Sequence, residues 1–329
     1  MADMAAPRKL LAVMPNWLGD CVMALPALYG MKKAFPELSM SIAVKSAFME
    51  LGSLLPDVAA THPSDDLSAI GGIRNGRYDT ALILPNSFNS AWRSMMMGSP
   101  RRIGYAGELR SILLTHAAPR PPKHSLHQQD YYANLVKAFF PKVEAIPAKL
   151  VIPDKANDEA ASLLPVSGKP LVGIGFGASY GSAKMWPAEK FAELIDRLSG
   201  QADVVLIGAA SDKELEARTK AHAKSRPLSL VGRTGLATLA AALSRLSLYI
   251  TNDTGPMHLA SALGVPVVAI FGPTSPEETM PLGDNVTVIY HKADCAPCWE
   301  RVCPEDHRCM ASVTVDEVYG AAGKVLNKG

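Results

Sequence analysis

No apolar run in this chain of 329 residues reaches the length that a membrane-spanning helix needs. Neither sign of charge dominates: 33 Lys and Arg stand against 31 Asp and Glu, a formal net charge of +2. That balance speaks against a protein that wraps nucleic acid through its phosphates, and no nucleic-acid partner is expected. The start, Met1 to Lys9, has no long apolar stretch behind its basic residues, and Leu10 to Met14 is only of strand length. We therefore read no signal peptide and expect a cytosolic, soluble chain, with contact at a membrane surface left open. No segment has the composition of a disordered region. Cysteine is nearly absent until the end: Cys21 stands alone, and Cys295, Cys298, Cys303 and Cys309 crowd one short segment. Four such residues opening with C-x-x-C raise a structural metal site, but no second C-x-x-C follows. Reduced thiols packed in a loop are the expected alternative.

What the chain does have is apolar residues, 48% of the total, at a length that suits two domains. Two halves share one plan. The first carries apolar strand-like runs at Lys9–Met14, Ser41–Val44 and Thr80–Leu84. Helical patterns follow them from about Gly19, at Ser46–Leu55 and at Ser87–Met97. The second half alternates in the same way: strand Pro170–Phe176, helix Pro187–Leu198, strand Val204–Ile207, helix Asp212–Ala223, strand Leu228–Val231, helix Leu236–Leu246, strand Ser247–Ile250, helix Pro256–Leu263 and strand Val265–Phe271. Short apolar runs alternating with longer helices predict parallel sheets built from βαβ units, hence two doubly wound α/β domains. Pro147, Pro153, Pro165 and Pro170 interrupt the pattern, and the boundary is placed at residues 160/161 within the window 145–170.

In open α/β sheets ligands bind beyond the carboxyl ends of the strands. Two such domains facing one another would enclose a cleft fed by the loops Pro15–Asp20, Gly175–Lys184, Gly208–Asp212, Gly232–Gly235, Thr251–His258 and Gly272–Ser275. The most informative of these is Thr251-Asn252-Asp253-Thr254-Gly255-Pro256-Met257-His258. Pro256 suits the first helical position, which makes Gly255 or Thr254 the cap. The amides of Met257 and His258 are then expected to lack helical partners and to offer a phosphate or diphosphate site. The ordinary alternative is a plain capped helix. Asp253, so near an anion, is expected to cap the helix or to accept sugar hydroxyls.

Gly173, Gly175 and Ala178 formally match G-x-G-x-x-A, but no acidic residue follows at the distance a ribose needs. The loop also runs on to Lys184-Met185-Trp186-Pro187, too long for that fingerprint's tight turn. Its hydroxyls, glycines and single lysine suit an anion instead, with Ser179 donating and Lys184 supplying a compact charge. A solvated surface lysine is the alternative. Asp20, in the first strand-to-helix loop, is either a helix cap or a carboxylate base. Arg93, Arg101, Arg102 and Arg110 would suit a phosphorylated or carboxylated partner, or are surface charge. Phe88, Trp92, Met95 and Met96 lie at helical spacing and are core residues, unless they form an exposed patch that touches lipid.

Together Met14-Pro15-Asn16-Trp17-Leu18-Gly19-Asp20, the Gly175–Pro187 loop with Lys-x-Trp-Pro, Asp253 to His258 and the Cys295–Cys309 tail resemble glycosyltransferase family nine, in the same order from about Leu10 to Val318. The resemblance implies a GT-B architecture with two Rossmann-like domains. The first, 1–160, would bind the acceptor. The second, 161–329, would bind ADP-heptose and end in a C-terminal helix. It implies inverting heptosyl transfer in lipopolysaccharide core synthesis onto the first inner-core heptose of a Kdo2–lipid A acceptor, peripheral to the cytoplasmic face of the inner membrane. Neither a cofactor nor a catalytic metal is implied, and a different acceptor within the family stays possible. Asp20 matches the family's general base. Ser179 and Lys184 match the diphosphate positions, Lys184 acting also in catalysis. Asp253, Thr254, Gly255, Met257 and His258 match the donor turn. Arg101, Arg102 and Arg110 are assigned to the acceptor. Related enzymes place a glutamate near Gly208 to grip the ribose; here the positions read Ala209, Ala210 and Ser211, with Ser211 or Asp212 as the substitute. An oxidoreductase or a non-catalytic nucleotide-binding protein are the distant alternatives.

Overall fold

The computed structural model describes residues 4–107, 109–165 and 167–327, which divide into two units, Met1–Val151 and Ile152–Gly329. The division thus falls upstream of 160/161, because the helix Asp154–Leu163 packs on the second unit's helix Leu236–Ser244.

Unit 1 holds strands β1 (Lys9–Val13), β2 (Ser39–Val44), β3 (Val58–Pro63), β4 (Thr80–Ile83), β5 (Arg101–Tyr105) and β6 (His116–Ala118). Its helices are α1 (Leu18–Ala34), α2 (Ile70–Asn75), α3 (Phe88–Met96) and α4 (Gln128–Lys137). The sheet order is β3-β2-β1-β4-β5-β6, and every pairing is parallel. β1 and β4 are buried along almost their whole length, as parallel strands covered on both faces must be. Helix α1 is buried from Leu18 to Met31 except at the partly exposed Asp20, so it is a central helix rather than a surface one.

Unit 2 repeats the plan with β7 (Leu171–Gly175), β8 (Asp203–Ile207), β9 (Leu228–Ser229), β10 (Leu248–Asn252), β11 (Val267–Phe271) and β12 (Val286–Tyr290), in the order β12-β11-β10-β7-β8-β9. Its helices are α5 (Asp154–Leu163), α6 (Ala188–Leu198), α7 (Lys213–His222), α8 (Leu236–Ser244), α9 (Gly255–Ala262), α10 (Pro276–Thr279), α11 (Arg308–Ala311) and the C-terminal α12 (Val315–Leu326). Helix α6 buries Phe191, Leu194, Ile195 and Leu198 at 3–4 spacing, and α12 joins the same core through Val315, Val318 and Ala322.

The two sheet orders matter for function. In unit 1 the chain winds one way from β1 and the other way from β4; in unit 2 the reversal lies between β7 and β10. Loops leaving the carboxyl ends of adjacent strands diverge at such a reversal and leave a crevice, the usual ligand site of open α/β sheets.

Candidate active site

In unit 2 the residues picked from sequence gather at the β7/β10 reversal. Strand β10 ends at Asn252, Asp253 follows, and α9 starts at Gly255 with Thr254 as its cap residue. Beyond β7 the loop runs to a short 3-10 turn, Ser182–Lys184. The Lys184 ammonium lies 2.5 Å from Asp253 Oδ2, and both side chains are buried. Thr274, in the loop after β11, donates to the same carboxylate oxygen at 2.7 Å. The Lys184 ammonium also stands 4.7 Å from the centre of the Tyr180 ring, a cation–π contact. An ammonium has three donors. One goes to Asp253, and among the described residues the other two have no hydrogen-bond acceptor.

Asn252 braces this arrangement from below. Fully buried, it donates to the Phe176 carbonyl at 2.7 Å and accepts from the Trp186 amide at 3.2 Å. Trp186 is buried beside Phe191 and donates its indole N–H to Val313. The Lys-x-Trp-Pro element therefore joins the Asp253-paired lysine to a core anchor two residues on. Pro187 is the cap of α6.

Three expectations need correction. Helix α9 begins one residue earlier, so Pro256 occupies the second helical position. The Met257 amide, expected to be unpaired, closes the first turn on the Thr254 carbonyl at 3.2 Å, a tightening that helix termini often use. Asp253 does not cap the helix, since the start of α9 has no side-chain cap and Asp253 faces Lys184 and Thr274. Met257 and His258 are buried, and Ser179 is exposed on the loop.

The Cys295–Cys309 tail buttresses the Lys184 loop. Tyr180 donates to the Trp299 carbonyl at 2.5 Å, the Arg301 guanidinium lies 5.5 Å from the Tyr180 ring centre, and the Ala183 amide donates to the Arg301 carbonyl at 3.0 Å. At Gly181 the backbone has φ 155°, and a β-carbon there would strike the Arg301 carbonyl. Only glycine allows that approach. The four tail cysteines line a cavity of about 40 Å³ with Ala183 and Pro273. All are free thiols, and burial, then the neighbouring thiols, push the Cys309 thiol up. Among the described residues no group of three His, Cys, Asp or Glu side chains is arranged to hold a metal ion.

Asp212 precedes α7 at the end of the β8 loop. Its Oδ2 accepts from the Ala209 amide at 2.7 Å, and a side chain at Gly177 would collide with its carboxylate. Burial raises its pKa, against the lowering effect of the Ala209 amide. The carboxylate thus lies beside the first residues of the loop after β7. A far larger cavity, about 560 Å³, is lined by Pro170, Ser247, Pro266 and Asn285 at the amino edge of this sheet.

In unit 1, Asp20 lies in the first turn of α1, after β1 at the β1/β4 reversal. It does not cap the helix, whose cap residue Trp17 makes no side-chain cap. Tyr132 of α4, itself buried, donates to Asp20 Oδ1 at 3.4 Å. The three arginines assigned to the acceptor separate. Arg101 and Arg102 open β5, at the amino edge, and are held by protein groups: Arg101 by Asp79 at 2.6 Å and the Ala5 carbonyl, Arg102 by the Leu113 and Ser99 carbonyls. Their place at the start of a strand takes them away from the ligand edge. Arg110 lies past the carboxyl end of β5 and is 4% exposed. Its Nη1 donates to Asn86 at 3.1 Å, while Nε and Nη2 have no partner among the described residues. Burial lowers its pKa, with no acidic group acting on it among the described residues. Leaving such donors unmet costs about 1–3 kcal/mol each.

With this geometry in view, the comparisons with known proteins are decisive. The pattern of Glycosyltransferase family 9 (heptosyltransferase) matches residues 67–308. The chain belongs to glycosyltransferase family 9. It is 30% identical over 312 residues to lipopolysaccharide heptosyltransferase 2 of Salmonella typhimurium, covering 86% of this chain and 90% of that protein. Lipooligosaccharide heptosyltransferase 2 of Campylobacter jejuni is 29% identical, covering 97% of this chain and 98% of its own length. Among solved structures, E. coli ADP-heptose lps heptosyltransferase II superposes with a TM-score of 0.84 at 26% identity, covering 97% of this chain and 99% of that one. The architecture is therefore that of the GT-B heptosyltransferases, and the chain is a glycosyltransferase.

Proposed function

We propose that this chain transfers L-glycero-D-manno-heptose, with inversion, from ADP-heptose to the first inner-core heptose of a Kdo2–lipid A acceptor at the cytoplasmic face of the inner membrane. The observation that carries the reading is the buried Lys184–Asp253–Thr274 cluster at the β7/β10 reversal, ahead of the α9 start. The family membership and the heptosyltransferase 2 relatives support it.

In this reading the donor's diphosphate takes the two remaining Lys184 donors, the Ser179 hydroxyl and the positive end of α9 around Thr254, Gly255, Met257 and His258. Asp253 holds the ammonium in place and Thr274 fixes Asp253. Asp212 accepts the ribose hydroxyls in place of the family's glutamate. As the bond to the anomeric carbon breaks, negative charge grows on the departing ADP, and fixed donors stabilise that charge more than the ground state. Asp20, held by Tyr132, takes the proton of the attacking acceptor hydroxyl. A carboxylate serves here because the proton is needed only late, when the hydroxyl has become acidic. The Nε–Nη2 edge of Arg110, without a partner among the described residues, matches the two oxygens of an acceptor carboxylate or phosphate.

Purified protein incubated with ADP-heptose and mono-heptosylated Kdo2–lipid A should yield a product heavier by one heptosyl residue. No mass gain, or a gain only on an acceptor without heptose, contradicts the assignment.

A further inference from the structure

The donor cluster of unit 2 is short of positive charge. Lys184 is the only lysine or arginine among the residues read as holding the diphosphate, and Asp253 cancels it at 2.5 Å. A pair that is neutral as a whole offers an incoming anion little net attraction. A diphosphate brings several negative charges. The remainder falls to the positive end of α9 and to any uncancelled cation beside the Lys184 loop.

Arg301 is such a cation. Its guanidinium lies 5.5 Å from the centre of the Tyr180 ring, and the Lys184 ammonium lies 4.7 Å from the same centre. Two cations thus share one aromatic ring, each attracted by its π-electrons. The Arg301 carbonyl accepts the Ala183 amide at 3.0 Å and abuts Gly181, so the residue is fixed to the loop just ahead of Lys184. That bracing runs through the main chain. Tyr180 has its own anchor, its hydroxyl on the Trp299 carbonyl. The Arg301 side chain is exposed and takes no part in those hydrogen bonds. Its charge is also uncancelled. Among the described residues none of the tail acids Asp294, Glu300, Glu305 and Asp306 forms an ion pair with it, and the last two bind Arg308 instead.

We propose that Arg301 is a second cation of the donor site, binding the diphosphate from the tail side of the Lys184 loop. A guanidinium suits the task, because its parallel N–H groups match two phosphate oxygens at once. The inference rests on the heptosyl-transfer reading for the nature of the nucleotide. Its test does not, because inorganic pyrophosphate carries the same anion without the nucleoside. Calorimetry on the full chain compares pyrophosphate, ADP and adenosine as ligands of wild type, Arg301→Gln and Arg301→Lys. Both variants keep the main-chain contacts, so their melting temperatures should match wild type.

Arg301→Gln should bind ADP and pyrophosphate about tenfold more weakly at low salt, with adenosine binding unchanged. The gap should narrow as salt rises. Arg301→Lys should recover part of the loss, since it restores the charge and not the paired geometry. In transfer assays the KM for ADP-heptose should rise in Arg301→Gln. A wild type that binds pyrophosphate and not ADP would end the donor reading, and a tenfold pyrophosphate loss in Arg301→Gln would still uphold the second cation. The proposal is overturned if Arg301→Gln binds both phosphate ligands as wild type does. It is equally overturned if adenosine binding falls as far as ADP binding, which marks a damaged loop, or if wild type binds neither phosphate ligand.

Discussion

The carboxyl edges of the two sheets are built alike in topology and differently in chemistry. In unit 2 the edge is polar, buried and cross-braced: Lys184 meets Asp253, Thr274 holds Asp253, Asn252 ties the ends of two strands, and the cysteine-bearing tail presses on the Lys184 loop. In unit 1 the corresponding edge holds Asp20 with Tyr132 against it, Arg110 with two donors that lack a partner among the described residues, and exposed apolar side chains nearby. A small, highly charged donor needs preorganised partners, because fixed dipoles stabilise growing charge without reorganising. A large amphiphilic acceptor needs a base, an anion contact and a surface. In the proposed reading the same doubly wound scaffold supplies both, through its loops.

The comparison breaks most sharply at Asp20. Asp20→Asn should lower the rate of transfer by about a hundredfold or more and leave ADP-heptose affinity as in wild type, read by single-turnover kinetics and calorimetry. A variant that turns over normally would remove the base from unit 1. Next comes Lys184→Ala, which should cost about a hundredfold in transfer and also weaken ADP binding. It should lower the melting temperature as well, since Asp253 is left buried with no counter-charge. Adding Asp253→Ala should restore much of the stability and none of the transfer. Equal stability in both variants would show that the pair contributes nothing to the fold.

A smaller effect is expected at Gly181→Ala. The added β-carbon meets the Arg301 carbonyl and displaces the loop from its tail, so donor affinity should fall by about tenfold, a near-miss in positioning, with unit 1 untouched. Smallest is the pH dependence at Asp212. If its ionised form accepts ribose hydroxyls, ADP affinity should fall as pH drops through its raised pKa. The sign follows from protonation converting an acceptor to a donor. In Asp212→Asn that decline should vanish, which titration of ADP across the acidic range would reveal.

Much of this was legible in the sequence, for a physical reason. Strands β1, β2, β4, β7, β8, β10 and β11 are covered on both faces and read as plain apolar runs. β5 escaped because it opens with Arg101 and Arg102, and β6, three residues long, lies at an edge. The Asp253–His258 turn and Lys184 stand out in the sequence because loop length, glycines and one lysine are local signals, and the structure brings Lys184 to Asp253. Thr274 and Asn252 were not assigned roles, since their meaning lies in partners 21 and 76 residues away. The three arginines looked equivalent along the chain. Only the strand direction separates Arg101 and Arg102, at the amino edge, from Arg110.

The central claim is that unit 2 grips the donor's pyrophosphate with Lys184 at the β7/β10 reversal. A structure of the chain crystallised with ADP-heptose tests it most directly. The account predicts phosphate oxygens within hydrogen-bond distance of Lys184 Nζ and beside Gly255. Pyrophosphate bound elsewhere, with the Lys184–Asp253 pair out of its reach, would contradict it.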